Sequence, residues 1–525
     1  DSTINSVTVG KGANSVATNT VLGSGALDDS VTGANNVAVG LNALTVNTSG
    51  HSNTAVGSEA LDANTTGNGS TAVGFQALAA ATTPNGNTAV GRKASLSNTT
   101  GALNTSLGDQ AFYTNTTGSN NTALGRGTLY ANTTASSNTA VGYDALTSNT
   151  TGTYNVAVGH QALDANTTAN NNTAIGYAAL GANTIGAQNT AVGKNALFQT
   201  TTGIQNTALG FEALYTPTTV SNNTAVGYRA LFSNTTANDN TAVGLKALYA
   251  NTTGTYNVGV GCSALAANTT ANNNVAVGFE AMKATTTGSF NTAVGLLALQ
   301  ANTTGGENTA FGYRALYSAT TASYNTALGS GAGDNITTGQ YNTAVGEEAL
   351  DAITTGSYNT AVGRQALTSL TGTGQNEAFG NRAAYGITTG SANVCIGNHA
   401  GYNITTGDNN TVVGRYAAGD VGGTGNNMTS DNNTLIGINA GTQLTTGANS
   451  TAVGAYALDA NTTASNNTAI GYGAMTNNTI GGGCVAVGVN ALLDLTTGSY
   501  NSCVGSGCGS NMTTATYNTF MGEYA

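Results

Sequence analysis

Histidine and cysteine are the side chains best suited to acid–base, nucleophilic or metal chemistry, and this 525-residue chain holds three of the first and five of the second. Such groups act only where they converge or sit at ligand spacing. His51, His160 and His399 fall in distant segments, which reads as solvated surface. Cys262, Cys395, Cys484, Cys503 and Cys508 form no C-x-x-C pair, so neither a zinc site nor a disulfide framework is expected. Cys395, Cys503 and Cys508 stand where neighbouring segments carry Ala, and read as small buried fillers. "VGKNAL" sets Lys194 after Gly193 without the upstream Gly or following Ser/Thr of a phosphate loop. Calcium-binding rolls need ranked carboxylates, whereas Asp62, Asp164, Asp334, Asp351 and Asp459 are scattered. The reading is a non-enzyme with no cofactor and no metal.

Composition points the same way. Only 7% of residues are charged, against about 25% in ordinary globular domains. Gly numbers 73, Pro 2 and Trp 0. A net charge of -11, thinly spread, offers no basic stripe, so nucleic acid is not an expected partner. No apolar run approaches the roughly 20 residues that span a bilayer, so membrane insertion is not expected. "DSTINSVTVG" lacks the charged and apolar regions of a signal peptide.

What positions every side chain is a repeat. Aligned on the Gly that closes NTAVG, the chain advances by 17 from Gly23 to Gly414 and from Gly437 to Gly522. Only the steps Gly10–Gly23, of 13, and Gly414–Gly437, of 23, differ. Such periods signal a solenoid. The repeat is N-T-A-V-G-x-x-A-L-x-x-N-T-T-G-x-x, and its positions are counted from the first Asn. Asn, Thr and Gly disfavour helix, and β-branched residues at positions 2 and 4 suggest a strand with both on the buried face. The xxAL segment reads as a second strand and NTTG as a turn.

The expected fold is all-β, a parallel β-solenoid or β-roll of about 30 coils of 17 residues. At about 4.8 Å per coil the rod is about 150 Å long. Residues 1–414 read as regular solenoid with an irregular coil at 10–23, 415–436 as a coil carrying an insertion, and 437–525 as regular solenoid without a cap. Both ends stop inside a repeat, which suggests a segment of something longer or a unit that stacks on neighbours.

A trade of volume locates the interior. Position 9 is usually Leu and position 12 often Asn, but Gly333 is followed by Ile336, Gly401 by Ile404, Ala418 by Val421 and Gly441 by Leu444. Residues that exchange volume share one space. With the strand-face valines Val56, Val141 and Val243, the core set comprises Leu61, Leu146, Leu248, Ile336 and Ile404. Position 12 then points inward, which removes Asn64 and Asn251 from glycosylation although they match the sequon. Position 1, as in Asn121, Asn138, Asn155 and Asn172, suits an amide ladder. Positions 6, 7, 10, 16 and 17 vary freely and form the outer surface. The insertion "DVGGTGNNMTSDNN" supplies a candidate contact loop with Asp420, Asn426, Asn427 and Asp431.

The segments "NVAVGHQAL", "NVCIGNHAG" and "CVAVGVNAL" resemble the SVAIGxxA repeat of trimeric autotransporter adhesin heads. The tandem NTAVGxxAL…NTTG pattern is also similar to repeats of bacteriophage tail fibres. The first resemblance implies a left-handed β-roll assembled as a homotrimer on a cell surface, and the second a host-attachment appendage. Expected partners are further copies of the chain, as trimer or filament, and a cell-surface glycan or protein receptor. The expected function is a structural, adhesive extracellular fibre on a cell or virion. Two alternatives are an ice- or crystal-binding solenoid using Thr ranks such as Thr65 and Thr66, and, less favoured by the scarce charges, a solenoid carbohydrate-active enzyme.

Overall fold

The computed structural model describes residues 2–5, 7–29, 31–372, 374–419 and 427–525. The chain is an all-β parallel solenoid organised as two compact units, Asp1–Asn257 and Val258–Ala525. Each regular coil contributes one three-residue strand. Thr139–Val141 pairs in parallel with Thr122–Leu124 before it and Val156–Val158 after it, so each residue meets its equivalent 17 positions away. The second unit repeats this register, as in Thr309–Phe311 beside Thr326–Leu328.

In the first unit β1 (Ser2–Ile4), β2 (Val7–Gly10) and β3 (Thr20–Gly23) pair antiparallel, and the parallel register runs on from β3. The stretch up to Gly23 is thus not regular solenoid. The hairpin pairs the edge of β3, whose unpaired N–H and C=O groups would otherwise be open to another chain.

The strand faces the opposite way from the sequence-based expectation. Ala55, Ala140 and Ala242 at position 3 are fully buried, whereas Val56, Val141 and Val243 are partly exposed on the outer face. These three valines do not belong to the core. Period two places position 3 inward once 2 and 4 point out, and the opposite wall, the Ala of position 8, leaves room for little more than a methyl group. That gap is narrow enough for a bond: in one coil Cys503 at position 3 and Cys508 at position 8 form a disulfide with Cα atoms 5.8 Å apart. A disulfide at the expected buried fillers corrects the reading of these two cysteines as unlinked.

Leu61, Leu146, Leu248, Ile336 and Ile404 are fully buried. The xxAL segment that carries the leucines is a turn, not a second strand. Its residues at positions 7 and 9 are left-handed, with Asp144 at φ 53 and Leu146 at φ 52. A non-glycine residue held there costs roughly 1–2 kcal/mol, which burying a Leu side chain offsets at about 1.5–3 kcal/mol. The volume trade is visible directly: a Cβ added to Gly333 would lie 2.9 Å from Ile336 Cδ1. Position 3 takes part as well, for the space at Gly441 is filled by Leu435, whose Cδ2 would lie 2.9 Å from an added Cβ.

The corner glycines form a column. A Cβ on Gly142, at φ 128, would lie 2.6 Å from the carbonyl oxygen of Gly159 in the next coil. No side chain fits there, which is why the corner is always Gly.

Candidate functional site

Asn at position 1 satisfies backbone rather than mainly other amides. Asn138 Oδ1 accepts from the Asn155 N–H at 2.9 Å, and Asn138 Nδ2 donates to the Gly152 carbonyl at 2.9 Å. Asn121, Asn155 and Asn172 repeat the arrangement, all buried. Amide-to-amide bonds are weaker here, as from Asn155 Nδ2 to Asn138 Oδ1 at 3.2 Å. The closer amide ladder runs through position 12, where Asn115 Nδ2 donates to Asn98 Oδ1 at 2.6 Å and Asn132 Nδ2 to Asn115 Oδ1 at 2.9 Å. Asn64 and Asn251 belong to that buried rank. Most polar atoms of both ladders are used internally, Asn183 Oδ1 and Asn302 Oδ1 being exceptions, and because the amides are buried neither ladder is an open ligand site.

The threonine ranks divide likewise. Thr65 Oγ1 donates to the Thr82 carbonyl at 3.1 Å, and Thr82, Thr99 and Thr116 continue the pattern. Only the second threonine, such as Thr66, is exposed with its hydroxyl free of this bonding. One free rank is a narrow surface for matching an ice lattice.

The contact loop contracts. Asp420 and Asn426 lie outside the described residues, as does Val421. Asn427 is exposed, but Met428 is buried and bridges to Ile404, so it holds position 12 of this coil. Asp431 Oδ1 accepts from the Asp408 N–H at 2.8 Å, the bond that Ser119 makes to Ala102 N–H in a regular coil. Asp431 is therefore part of the repeat framework. The residues after Met428 resume the coil because the 17-residue stack offers them ready partners above and below.

Outward positions build ladders of like side chains. In the first unit the Arg126 guanidinium lies 5.3 Å over Tyr143, which stacks on His160 at 5.0 Å, which stacks on Tyr177 at 5.3 Å. Lys194 sits 5.6 Å from Tyr177 and 5.8 Å from Phe211, and Phe211 stacks on Tyr228 at 5.5 Å. In the second unit Tyr324, Tyr341 and Tyr358 stack at 4.8 and 5.0 Å. The coil spacing imposes this: equal side chains one coil apart sit at aromatic contact distance. No sequence motif marks these ladders, but writing the chain in rows of 17 reveals them.

Asp334, Glu348 and Asp351 gather around Arg314. Arg314 Nε pairs with Asp334 at 3.0 Å, and burial, then Asp334 and Glu348, push the Asp351 carboxyl above its ordinary range. Among the described residues no group of three His, Cys, Asp or Glu side chains is placed to hold a metal ion, and no helix is long and apolar enough to cross a membrane.

Apolar side chains are exposed at several outer positions, Leu103 and Tyr154 among them, but position 4 of the strand carries an apolar residue in every coil. Leu107 is 49% exposed and Leu209 45% in the first unit, with Phe311 at 50% and Leu328 at 47% in the second. No protein-family model matches the chain, and no curated protein is significantly similar to it.

Proposed function

We propose that this chain is a non-catalytic structural and adhesive fibre, a β-solenoid shaft that associates with further copies of itself outside the cell. The observation that carries the reading is the apolar row at position 4 within each unit, exposed at larger members such as Leu209 and Phe311 and partly exposed at valines such as Val141 and Val294. Monomeric proteins rarely leave long contiguous apolar surface in water. A second copy of the chain is its natural cover, because identical strands with identical spacing match row for row, as the adhesin-head resemblance implies for a trimer. The Cys503–Cys508 bond supports an oxidising compartment, where disulfides persist. Attachment to a cell or virion, and a glycan or protein receptor, belong to the same reading. Sedimentation velocity tests it. The chain is expected to sediment as a discrete oligomer or filament at micromolar concentration, and a monodisperse monomer throughout would refute self-association.

A further inference from the structure

Five of the seven arginines pair with carboxylates, as in Arg92–Asp109, Arg126–Asp109, Arg229–Glu212, Arg314–Asp334 and Arg364–Glu347. Arg382 and Arg415 have no acidic partner among the described residues, although the chain carries a net charge of -11. They stand two coils apart in the second unit, and the coil between them places His399 against both. The side chains that hold them are neutral: Arg382 Nε donates to Gln365 Oε1 at 2.8 Å, and the guanidinium lies 5.6 Å from the Tyr385 ring. Arg415 lies 4.7 Å over Tyr416. His399 packs 5.2 Å from Tyr402 and 5.1 Å from Tyr416, with Nδ1 2.7 Å from Asn398 Oδ1. Tyr385 and Tyr402 stack at 5.0 Å and form the floor beside them.

Three basic groups on successive coils repel one another. The cost is visible in His399, whose pKa is lowered by burial and then by Arg382 and Arg415. An anion would remove that cost. Its neighbours are hydroxyls and amides, those of Tyr385, Tyr402, Tyr416 and Asn398, a rim suited to a polyhydroxyl ligand.

We propose that Arg382, His399 and Arg415 form a binding site for an acidic polysaccharide lying along the solenoid axis. Its anionic groups meet the two guanidiniums, which stand two coils apart. The intervening sugar hydroxyls meet the tyrosine and asparagine side chains. The site does not depend on self-association. Protonation of His399 adds a third positive charge, and the groups facing it are Arg382, Arg415, Tyr402 and Tyr416 with no described carboxylate among them. Affinity therefore rises as pH falls through the pKa of His399.

Fluorescence anisotropy on the whole chain tests this with labelled oligogalacturonate, a sulfated dextran oligosaccharide and uncharged dextran. Saturable binding of one or both anionic sugars, but not of dextran, is expected, and which one binds separates carboxylate from sulfate recognition. Arg382→Gln and Arg415→Gln should each weaken binding about tenfold, the value of one charge-assisted hydrogen bond. Arg364→Gln, beside the site but paired with Glu347, should leave it unchanged. Absence of saturable binding at low salt, undiminished binding by the double variant, or equal or tighter binding of polyglutamate would overturn the assignment. Sedimentation is read separately, so failure here leaves the fibre reading standing and the reverse holds as well.

Discussion

Leu299 and Asn302 offer a test of the shared interior that separates packing from backbone strain. Leu299 is fully buried at φ 52, and its N–H donates to the Ala315 carbonyl at 2.9 Å. Asn302, three residues on, donates to Thr285 Oγ1 at 3.3 Å and to the Gly305 carbonyl at 3.0 Å. Its Oδ1 is buried without a partner, for the next coil has Ala319 at the equivalent position. Leu299→Ala should cost about 3–4 kcal/mol as an incompletely collapsed cavity. Leu299→Gly removes one further methyl, worth about 0.8 kcal/mol, but relieves a left-handed strain of about 1–2 kcal/mol. Glycine should thus be no worse than alanine, the reverse of the usual order. Asn302→Ile alone overpacks the same space at about 1–3 kcal/mol. It loses two donor bonds and removes one unpaired acceptor, terms of about 1 kcal/mol each that leave a net loss of about 1 kcal/mol. Together the two changes reproduce the pair Gly333 and Ile336, so the double variant should be less destabilised than the sum by about 2 kcal/mol. Native-state hydrogen exchange over this coil and its neighbours is the suitable assay, because a repeat array opens locally. Additivity within about 0.5 kcal/mol, or a clear advantage of alanine over glycine, would refute the shared space and the strain respectively.

Gly142→Ala should weaken the coil by about 3 kcal/mol or more, through a disfavoured φ and a backbone collision, read as faster exchange at the Gly159 amide. Burial pushes the Cys395 thiol up to about 12 and raises that of Cys484, so iodoacetamide at mildly alkaline pH should modify the partly exposed Cys262 and spare both. Since Cys395 is favoured neutral in the fold, its contribution is complete below the unfolded thiol pKa and declines as pH rises above it toward 12, and urea midpoints of the wild type and Cys395→Ala should converge there. Replacing both Cys503 and Cys508 by Ala should loosen the last coils by about 2 kcal/mol while exchange in the first unit stays unchanged.

The repeat was legible because its constraint is absolute at one place. A corner where any Cβ meets the next coil's backbone admits only Gly, and the column of glycines writes the 17-residue period into the chain. The interior at positions 9 and 12 was legible because the chain spells the alternatives, Leu with Asn or Gly with Ile. The strand face was misread because β-branching at positions 2 and 4 looks like burial, while Ala at position 3 carries no hydropathy signal of its own. The signal was nevertheless present: where position 9 shrinks, position 3 often grows, as in Gly401 with Cys395, Ala418 with Val412 and Gly441 with Leu435. Ser95 at position 9 and Ser106 at position 3 of the next coil show that the two positions meet in the interior, bonding to each other at 2.9 Å. The turn at xxAL was hidden because a left-handed Leu violates local preference and is held there by its burial. Ladder contacts such as Tyr143–His160–Tyr177 arise between residues 17 apart and leave no local pattern.

The two outward rows of the strand differ in a way that strand propensity does not explain. Thr, Val and Ser occupy position 2, and Glu377 sits there without disturbing the register with Thr360 and Val394. Position 4 before each corner glycine from 23 to 522 is always Val, Leu, Ile, Phe or Met. A row facing only water would accept Thr, which suits a strand as well as Val does. Restriction to apolar residues at a half-exposed site therefore points to a cover that excludes polar groups. Phe311→Glu and Leu209→Glu should then shift sedimentation toward the monomer, since an unpaired charge buried at an interface costs several kcal/mol. Thr309→Glu, for which Glu377 is a natural precedent in the same row, should leave the oligomer intact. If both rows tolerate Glu equally and assembly persists, the apolar row serves the strand alone and the interface lies elsewhere.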